Sequence, residues 1–242
     1  MQTQFISISS QKGGVGKSTI TALVASYLHF TTDLSVAVID CDYPQWTLEN
    51  YRQKDLDSLK KSPEKMAEFK VLGKKAYPII SCEVSQAAQH MAELEGAVDL
   101  VLVDTPGTLN IAGITALWKK LDYIFIPLEP DAGTINSSLS YVEVLGNFVG
   151  KPGSNLKGFY CFWNKVVKTE KKTLYTKTEE LCQAEGVPLL TAQLEQSVAY
   201  RKEEVRSTML PLRKEFYHLG LISLLEEMQG ILFAERGTAA TV

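Results

Sequence analysis

The most chemically specific segment of the chain lies near its amino terminus. Residues 11–19 are Gln-Lys-Gly-Gly-Val-Gly-Lys-Ser-Thr, directly after the apolar run Phe5–Ile8. Glycines let backbone N–H groups curve around phosphate oxygens, and a helix that begins there adds its dipole. Lys17 could then reach the β and γ phosphates of a nucleotide, and the Ser18 hydroxyl could ligate Mg²⁺. The predicted nucleotide-binding residues of this loop are Gly13, Gly14, Val15, Gly16, Lys17, Ser18 and Thr19.

Aspartates follow two further apolar runs. Asp40 and Asp42 follow Val36–Ile39, and Asp104 follows Leu100–Val103. In open α/β sheets, ligands bind outside the carboxyl ends of the parallel strands. We therefore expect these carboxylates to lie near the phosphate-binding loop.

Strand-length apolar runs alternate with segments of helical spacing, which predicts the architecture. The predicted strands are Phe5–Ile8, Val36–Ile39, Pro78–Ile80, Leu100–Val103, Tyr123–Ile126 and Phe159–Phe162. The predicted helices are Thr19–Phe30, Ser85–Leu94, Ile135–Val149 and Thr173–Glu185. This alternation implies right-handed βαβ crossovers, and hence a three-layer α/β fold with a doubly wound, mainly parallel sheet. We expect one domain over residues 1–236 and a disordered tail over 237–242.

Composition limits the class of protein. The 242 residues are 45% hydrophobic and 22% charged, as in ordinary soluble globular proteins. No apolar run approaches the roughly 18 to 20 residues that a membrane span needs, and the first ten residues lack a basic signal region. The four cysteines are scattered without a C-x-x-C pair, so the spacing indicates no zinc or iron–sulfur site. These features predict a cytoplasmic protein.

Charge is unevenly distributed along the chain, although the net charge is only −3. Lysine and arginine are in excess in residues 51–75, 151–177 and 201–214, whereas residues 81–150 are acidic. This asymmetry fits a basic face for a polyanion, but on charge alone a set of solvated lysine-rich helices is the favoured interpretation. Charge alone leaves both interpretations open.

The phosphate-binding loop resembles that of a known family. The segment K-G-G-V-G-K-S-T, residues 12–19, is similar to the deviant Walker A motif of the ParA/MinD ATPases, which belong to the SIMIBI class of P-loop NTPases. The resemblance implies that ATP and Mg²⁺ are the cofactors. It also implies that Lys12 contacts the ATP phosphates of a second copy, so that ATP drives formation of a homodimer.

Two further segments carry the same resemblance. Residues 40–45, Asp-Cys-Asp-Tyr-Pro-Gln, are similar to the family's D-x-D-P-Q and are called the first switch loop below. The resemblance implies that Asp42 positions the attacking water and that Asp40 lies by the metal, while Tyr43 is an extra residue that leaves the path of this loop open. Residues 99–107 are similar to a Walker B strand, in which Asp104 and Ser18 hold Mg²⁺ and residues 105–108 form the second switch. The predicted catalytic residues are therefore Lys12, Lys17 and Asp42.

Two later segments carry weaker expectations. By resemblance, Asn164 contacts the adenine edge, although an asparagine that caps the end of a strand is an equal alternative. Residues 129–136 are expected on the face where two copies of the chain would meet.

The resemblance also implies a function. The segments A-V-I-D-C-D-Y-P-Q and L-G-K-K-A-Y-P suggest the ParA branch, and within it the ParA-like proteins of Bacteroidetes conjugative transposons, often called TraA. An ATP-state homodimer would then bind DNA nonspecifically, associate with the nucleoid and release DNA on contact with a ParB-like or other activator. Such a protein acts in plasmid or chromosome partition, or in maintenance or transfer of a mobile element. The candidate DNA contacts are Lys168, Lys171, Lys172, Arg201, Lys202, Arg213 and Lys214.

The main alternative is a MinD-like ATPase that cycles on a membrane through its C-terminal helix. Apolar residues between Phe216 and Leu232 do have helical spacing, but the polar face carries Glu226 and Glu227 and no lysine. Because acidic residues oppose anionic lipid, we expect this helix to pack on its own sheet.

Two further classes are disfavoured. Metabolic and redox relatives require cysteines after the Walker B strand, where this chain has none. A bacterial tyrosine kinase would need a C-terminal tyrosine cluster, which residues 237–242 lack.

Overall fold

A seven-stranded sheet forms the centre of the protein. The computed structural model describes residues 2–108, 110–169, 172–203, 205–213 and 219–234. The strands are β1 (Gln4–Ile8), β2 (Val36–Asp40), β3 (Ile79–Ser81), β4 (Leu100–Asp104), β5 (Tyr123–Leu128), β6 (Gly158–Val166) and β7 (Leu189–Glu195). Their order is β3-β2-β4-β1-β5-β6-β7, and every pair is parallel. The predicted α/β fold is confirmed.

Helices cover both faces of the sheet. They are α1 (Lys17–Thr31), α2 (Thr47–Lys61), α3 (Pro63–Val71), α4 (Val84–Leu94), α5 (Ile114–Trp118), α6 (Ala132–Gly146), α7 (Thr173–Ala184) and α8 (Leu221–Leu232). A 3₁₀ turn follows β7 at Val198–Arg201. Among the described helices, none is long and apolar enough to cross a bilayer.

The core has two parts, one on each face of the sheet. On one face, α1 packs against side chains of β1 and β2, and α8 packs against β7. On the other face, α4, α5 and α6 pack against the opposite side chains of the central strands. Every residue of β2 and β4 is buried, which explains why these strands are continuous apolar runs in the sequence.

Helix α8 packs on the edge strand β7. Leu225 and Met228 are buried against the sheet. The Glu227 carboxylate accepts hydrogen bonds from the backbone N–H groups of Thr191 (3.0 Å) and Ala192 (2.7 Å). The prediction that this helix packs on its own sheet is confirmed. The helical pattern before Leu219 and the expected tail over 237–242 lie outside the described residues.

Candidate nucleotide-binding site

The phosphate-binding loop occupies the turn between β1 and α1. Gly14 and Gly16 have φ angles of 77° and 89°, a left-handed conformation that glycine adopts without steric cost. Helix α1 has no side-chain cap and no acidic residue in its first turn. Its amino-terminal N–H groups therefore face the loop without a competing anion from that turn. Gly107 of the second switch approaches this loop so closely that a Cβ there would lie 3.1 Å from the Gly13 backbone.

Lys17 is buried at the start of α1, with only 7% of its surface exposed. Its ammonium donates to the Lys12 carbonyl oxygen at 3.3 Å. Burial lowers the pKa of Lys17, whereas Asp104 and Asp42 raise it. The lysine therefore lies in a confined position at the start of α1, where Asp104 and Asp42 favour its charged form.

Asp104 ends β4 beneath the loop and is fully buried. Neither carboxylate oxygen has a hydrogen bond of normal geometry among the described residues, although the Ser18 hydroxyl lies close by. Burial raises the pKa of Asp104 to about 8; the Ser18 hydroxyl counteracts this shift, and the neighbouring Asp40 and Asp42 add to it. Buried carboxylates normally have partners, and hydroxyl and carboxylate oxygens are the ligands that Mg²⁺ prefers. Ser18 and Asp104 therefore fit the predicted magnesium site.

Asp40 organises the backbone of the first switch loop. Its carboxylate accepts hydrogen bonds from the N–H groups of Leu48 (2.9 Å), Glu49 (3.3 Å) and Asp42 (3.2 Å). The first two lie in the first turn of α2, so Asp40 satisfies amides that the helix leaves unpaired. These contacts place Asp40 at the base of the loop, and its role beside a metal stays a prediction.

Asp42 stands at the turn of the first switch loop. Its carbonyl oxygen accepts hydrogen bonds from the N–H groups of Gln45 (2.8 Å) and Trp46 (2.9 Å). The loop therefore makes a compact turn directly into α2, and Tyr43 points outward with 55% of its surface exposed. Burial raises the pKa of Asp42, and the nearby Lys17 lowers it. The extra residue is accommodated without separating Asp42 from Lys17.

Lys12 is held by the beginning of α6. Its ammonium contacts the Asp131 carboxylate at 3.2 Å and the Thr134 hydroxyl. Asp131 also caps α6 by accepting from the Thr134 N–H at 2.9 Å. The hydrogen bonds from Thr134, followed by the contact with Lys12, lower the pKa of Asp131 to about 2. Because 45% of the Lys12 side chain is exposed, this ammonium lies at the surface, in contrast to that of Lys17.

Two residues from the end of β6 support the phosphate-binding loop. The Asn164 side-chain amide donates to the Val15 carbonyl oxygen at 2.7 Å. The Lys165 ammonium donates to the Gly14 carbonyl oxygen at 2.8 Å and pairs with Glu129. The predicted adenine contact of Asn164 stays a prediction, because in this structure its amide N–H anchors the loop. The sequence does not predict the role of Lys165, since nothing in the neighbouring residues indicates which loop it contacts.

A cavity of about 300 Å³ adjoins the phosphate-binding loop. Its walls include Gly16, Thr19, Asn164, Tyr200, Arg201 and Arg206. The Arg206 guanidinium lies over the Tyr51 ring of α2, 4.8 Å from its centroid. The space beside the loop can therefore accept the base and sugar of a nucleotide whose phosphates occupy the loop.

The described residues among the predicted DNA contacts lie at several places on the surface. Lys168 and Lys172 line a cavity beyond β6 and β7, and Lys168 also pairs with Glu195 at 2.8 Å. Arg201 lines the cavity of about 300 Å³ beside the phosphate-binding loop. Lys202 and Arg213 are exposed. Lys171 and Lys214 lie outside the described residues.

The fold and the loop define a P-loop nucleotide-binding α/β protein. Residues 6–209 match the family model for the CobQ/CobB/MinD/ParA nucleotide binding domain. The chain belongs to this family, and its site is that of a P-loop NTPase of the ParA/MinD kind.

Proteins similar to this chain include positioning and partition ATPases. Maintenance of carboxysome distribution protein A of Halothiobacillus neapolitanus is 25% identical over 201 residues, which is 83% of each chain. MinD of Pyrococcus horikoshii, a septum site-determining protein complexed with Mg-ADP, has a TM-score of 0.66 at 19% identity and covers 99% of this chain and 100% of its own. A ParA family ATPase from Chlorobium tepidum has a TM-score of 0.63 at 16% identity, covering 92% and 98%.

Proposed function

We propose that this chain is a Mg²⁺-dependent ATPase that forms a homodimer with ATP and binds DNA nonspecifically in that state. The observation that carries the proposal is the pair of lysines in one loop. Lys17 is buried beside two carboxylates, whereas Lys12 is half-exposed at the rim. One lysine can serve the nucleotide of its own chain, and the other is free to approach the nucleotide of a second copy once Asp131 releases it.

The chain's own residues can each take a defined part in hydrolysis. Lys17 neutralises phosphate charge, and Asp42, which lies near that ammonium, positions the attacking water. Ser18 and Asp104 would hold Mg²⁺, which when bound neutralises charge on the β and γ phosphates. Asn164 and Lys165 hold the loop carbonyls of Val15 and Gly14, so that the loop N–H groups keep their orientation toward phosphate.

A second copy would complete the site. Transfer of the Lys12 ammonium from Asp131 to a phosphate oxygen of the partner's nucleotide exchanges one charge-assisted contact for another. The negative charge that grows on the phosphates during hydrolysis would then be neutralised from both chains. An isolated chain is accordingly expected to hydrolyse ATP slowly.

The cellular role we propose is partition or positioning of a cargo. The similar proteins maintain carboxysome distribution, determine the septum site or belong to the ParA family, which supports a positioning role. We propose a plasmid, a chromosome or a conjugative element as the cargo, nucleoid association in the ATP state, and a ParB-like or other activator. A membrane-cycling role is not proposed, because the apolar face of α8 is buried on β7.

Retention on arbitrary double-stranded DNA tests this function. The protein is applied at about 100 mM salt with ATP–Mg²⁺, with ADP and without nucleotide, and Asp42→Ala is used to suppress turnover. Retention only with ATP is the expected result. Equal retention in all three states, or none in any of them, would contradict the proposed DNA switch.

A charge reversal then tests the surface. Lys168→Glu with Lys172→Glu should weaken retention and reduce the salt slope by about 0.9 for each phosphate that is no longer neutralised. The matched control is Lys119→Glu with Lys120→Glu, the same change in charge at exposed residues before β5, at the amino edge of the sheet. If the control lowers the slope as much as the test variant does, Lys168 and Lys172 are not DNA contacts.

A further inference from the structure

We propose that Cys41 and Cys82 are a site of reversible intramolecular disulfide formation that ties the first switch loop to β3. Both thiols are free, and they are 1% and 4% exposed. Their sulfur atoms lie 3.9 Å apart. Among the described residues, they are the only cysteine pair whose thiols are hydrogen-bonded to each other.

The sheet places the two cysteines opposite each other. Strands β2 and β3 run parallel, and their last paired residues are Asp40 and Ser81. Cys41 and Cys82 directly follow the ends of these two strands. The Cys82 N–H donates to the Asp40 carbonyl oxygen at 3.0 Å. Paired strands lie about 4.8 Å apart, within the range of roughly 4.4 to 6.8 Å that disulfide-bonded Cα atoms span. Side-chain rotation can therefore close the remaining gap without separating the strands.

A disulfide at Cys41 would act on the first switch loop, because Cys41 is part of that loop. Cys41 lies between Asp40, which holds the first turn of α2, and Asp42, which we propose to position water. Cys82 lies between the end of β3 and the start of α4, outside the proposed nucleotide site. A disulfide would therefore join the first switch loop to a part of the fold that takes no part in nucleotide binding, and would restrict the loop's movement.

The oxidant we propose is a peroxide. One thiol, as its thiolate, attacks a peroxide oxygen; the S–O bond forms, the O–O bond breaks, and the leaving hydroxide takes up a proton to become water. The second thiol attacks the resulting sulfenic sulfur, so that the S–S bond forms and the S–O bond breaks with release of a second water. Two thiols are thereby oxidised and one hydrogen peroxide is reduced to two waters.

Peptide mapping of the full chain tests the bond directly. The reduced protein is treated with hydrogen peroxide under native conditions, free thiols are blocked by alkylation, and the chain is digested with trypsin. We expect peptide 18–52, which contains Cys41, linked to peptide 76–119, which contains Cys82, and separated again by dithiothreitol. If both cysteines stay reduced, or if either is oxidised to sulfinic acid and no disulfide-linked peptide forms, the proposal is overturned.

Activity tests the consequence, and this readout rests on the proposed function. The linked protein should hydrolyse ATP about tenfold to hundredfold more slowly, since small misplacements of catalytic groups cost that much. Dithiothreitol should restore the rate, and Cys82→Ser should keep its rate under peroxide, whereas Cys182→Ser should lose activity as the wild type does. An unchanged rate in linked protein would overturn the restriction of the loop. If the reduced chain has no ATPase activity, the proposed function fails, and the peptide map still decides whether the disulfide forms.

Discussion

Two lysines five positions apart in the phosphate-binding loop lie in different environments. Lys17 is 7% exposed, and the nearby Asp104 and Asp42 favour its charged form. The Lys12 side chain is 45% exposed and pairs with Asp131 on α6. A buried ammonium beside carboxylates suits a ligand bound within the chain, whereas an exposed one suits a group that arrives from outside. The assignment of the two lysines to different nucleotides can be tested one residue at a time.

Lys17→Ala should abolish nucleotide binding. The substitution removes the cation that offsets phosphate charge in the loop and leaves Asp42 and Asp104 uncompensated. Titration calorimetry with ATP–Mg²⁺ measures the effect, and Lys120→Ala, an exposed lysine before β5, is the matched control. Equal affinity in the two variants would contradict the assignment of the loop.

Asp131→Asn should raise the fraction of ATP-bound dimer. Asparagine keeps the cap of α6 but removes the charge that holds Lys12. Sedimentation of the variant with ATP measures the dimer fraction, with Asp33→Asn, an exposed aspartate between α1 and β2, as the control. A dimer fraction equal to that of the control would show that this ion pair does not compete with dimer formation.

The same ion pair also has a defined pH dependence. The pKa of Asp131 is lowered to about 2 in the folded chain, below its usual value of about 4. Its stabilising effect is therefore complete above about pH 4 and is lost as the pH falls toward 2. Asp131 therefore stays ionised at neutral pH, and we expect Lys12 to leave it only when another anion competes for the ammonium.

At the scale of elements, α2 is held at its start and again along its length. Asp40 holds its first turn, as described above. Further along, the Arg52 guanidinium donates to the Tyr77 carbonyl oxygen at 2.8 Å and to the Thr208 hydroxyl at 2.9 Å. Asp55 accepts from the Thr208 N–H at 2.6 Å. Of the segment from the end of β2 through α2, we therefore expect the first switch loop to move more than α2 does.

Gly220→Ala should destabilise the protein strongly. Gly220 precedes α8 with a φ of 81°, and a Cβ there would lie 1.9 Å from the Gln193 carbonyl oxygen of β7. Backbone strain and displacement of α8 should together lower the free energy of unfolding by about 3 kcal/mol or more. Urea denaturation measures the change.

The control for this substitution is Gly230→Ala in the same helix. A Cβ on Gly230 would meet no atom within 4 Å outside its own helix, and alanine favours a helix by about 0.5 to 1 kcal/mol over glycine. This variant should be as stable as the wild type or more so. If both alanine variants have wild-type stability, the packing of α8 on β7 is not as described.

The sequence predicts elements well where they contain a continuous apolar run or a broad apolar face, and poorly where buried residues alternate with exposed ones or are few. Apolar runs predict six of the strands. They do not predict β7, because this edge strand alternates buried and exposed residues and has no such run. The helical spacing of apolar residues does not predict α2, because among its fifteen residues only Leu48 and Leu59 are buried. The site follows the same division: the loop and the aspartates are predictable from local sequence, whereas the contacts of Lys165 and Asp131 depend on tertiary structure.

At the scale of the whole molecule, strand order brings the site together. The chain leaves β1 toward β2 on one side, whereas β5 leads toward β6 and β7 on the other. The phosphate-binding loop therefore lies at the point where the winding direction reverses, which is where ligands bind in open α/β sheets. Lys17, Asp42 and Asp104 lie at or just after the carboxyl ends of β1, β2 and β4, which are neighbours in the sheet.

The proposed function requires that ATP change the association of two chains through Lys12. Sedimentation velocity of Asp42→Ala with ATP–Mg²⁺ and with ADP tests it most directly, because this variant should keep ATP bound. We expect a larger dimer fraction with ATP than with ADP, and loss of that difference when Lys12→Ala is added although ATP still binds. The same sedimentation coefficient with ATP and with ADP, while calorimetry shows that both nucleotides are bound, would contradict it.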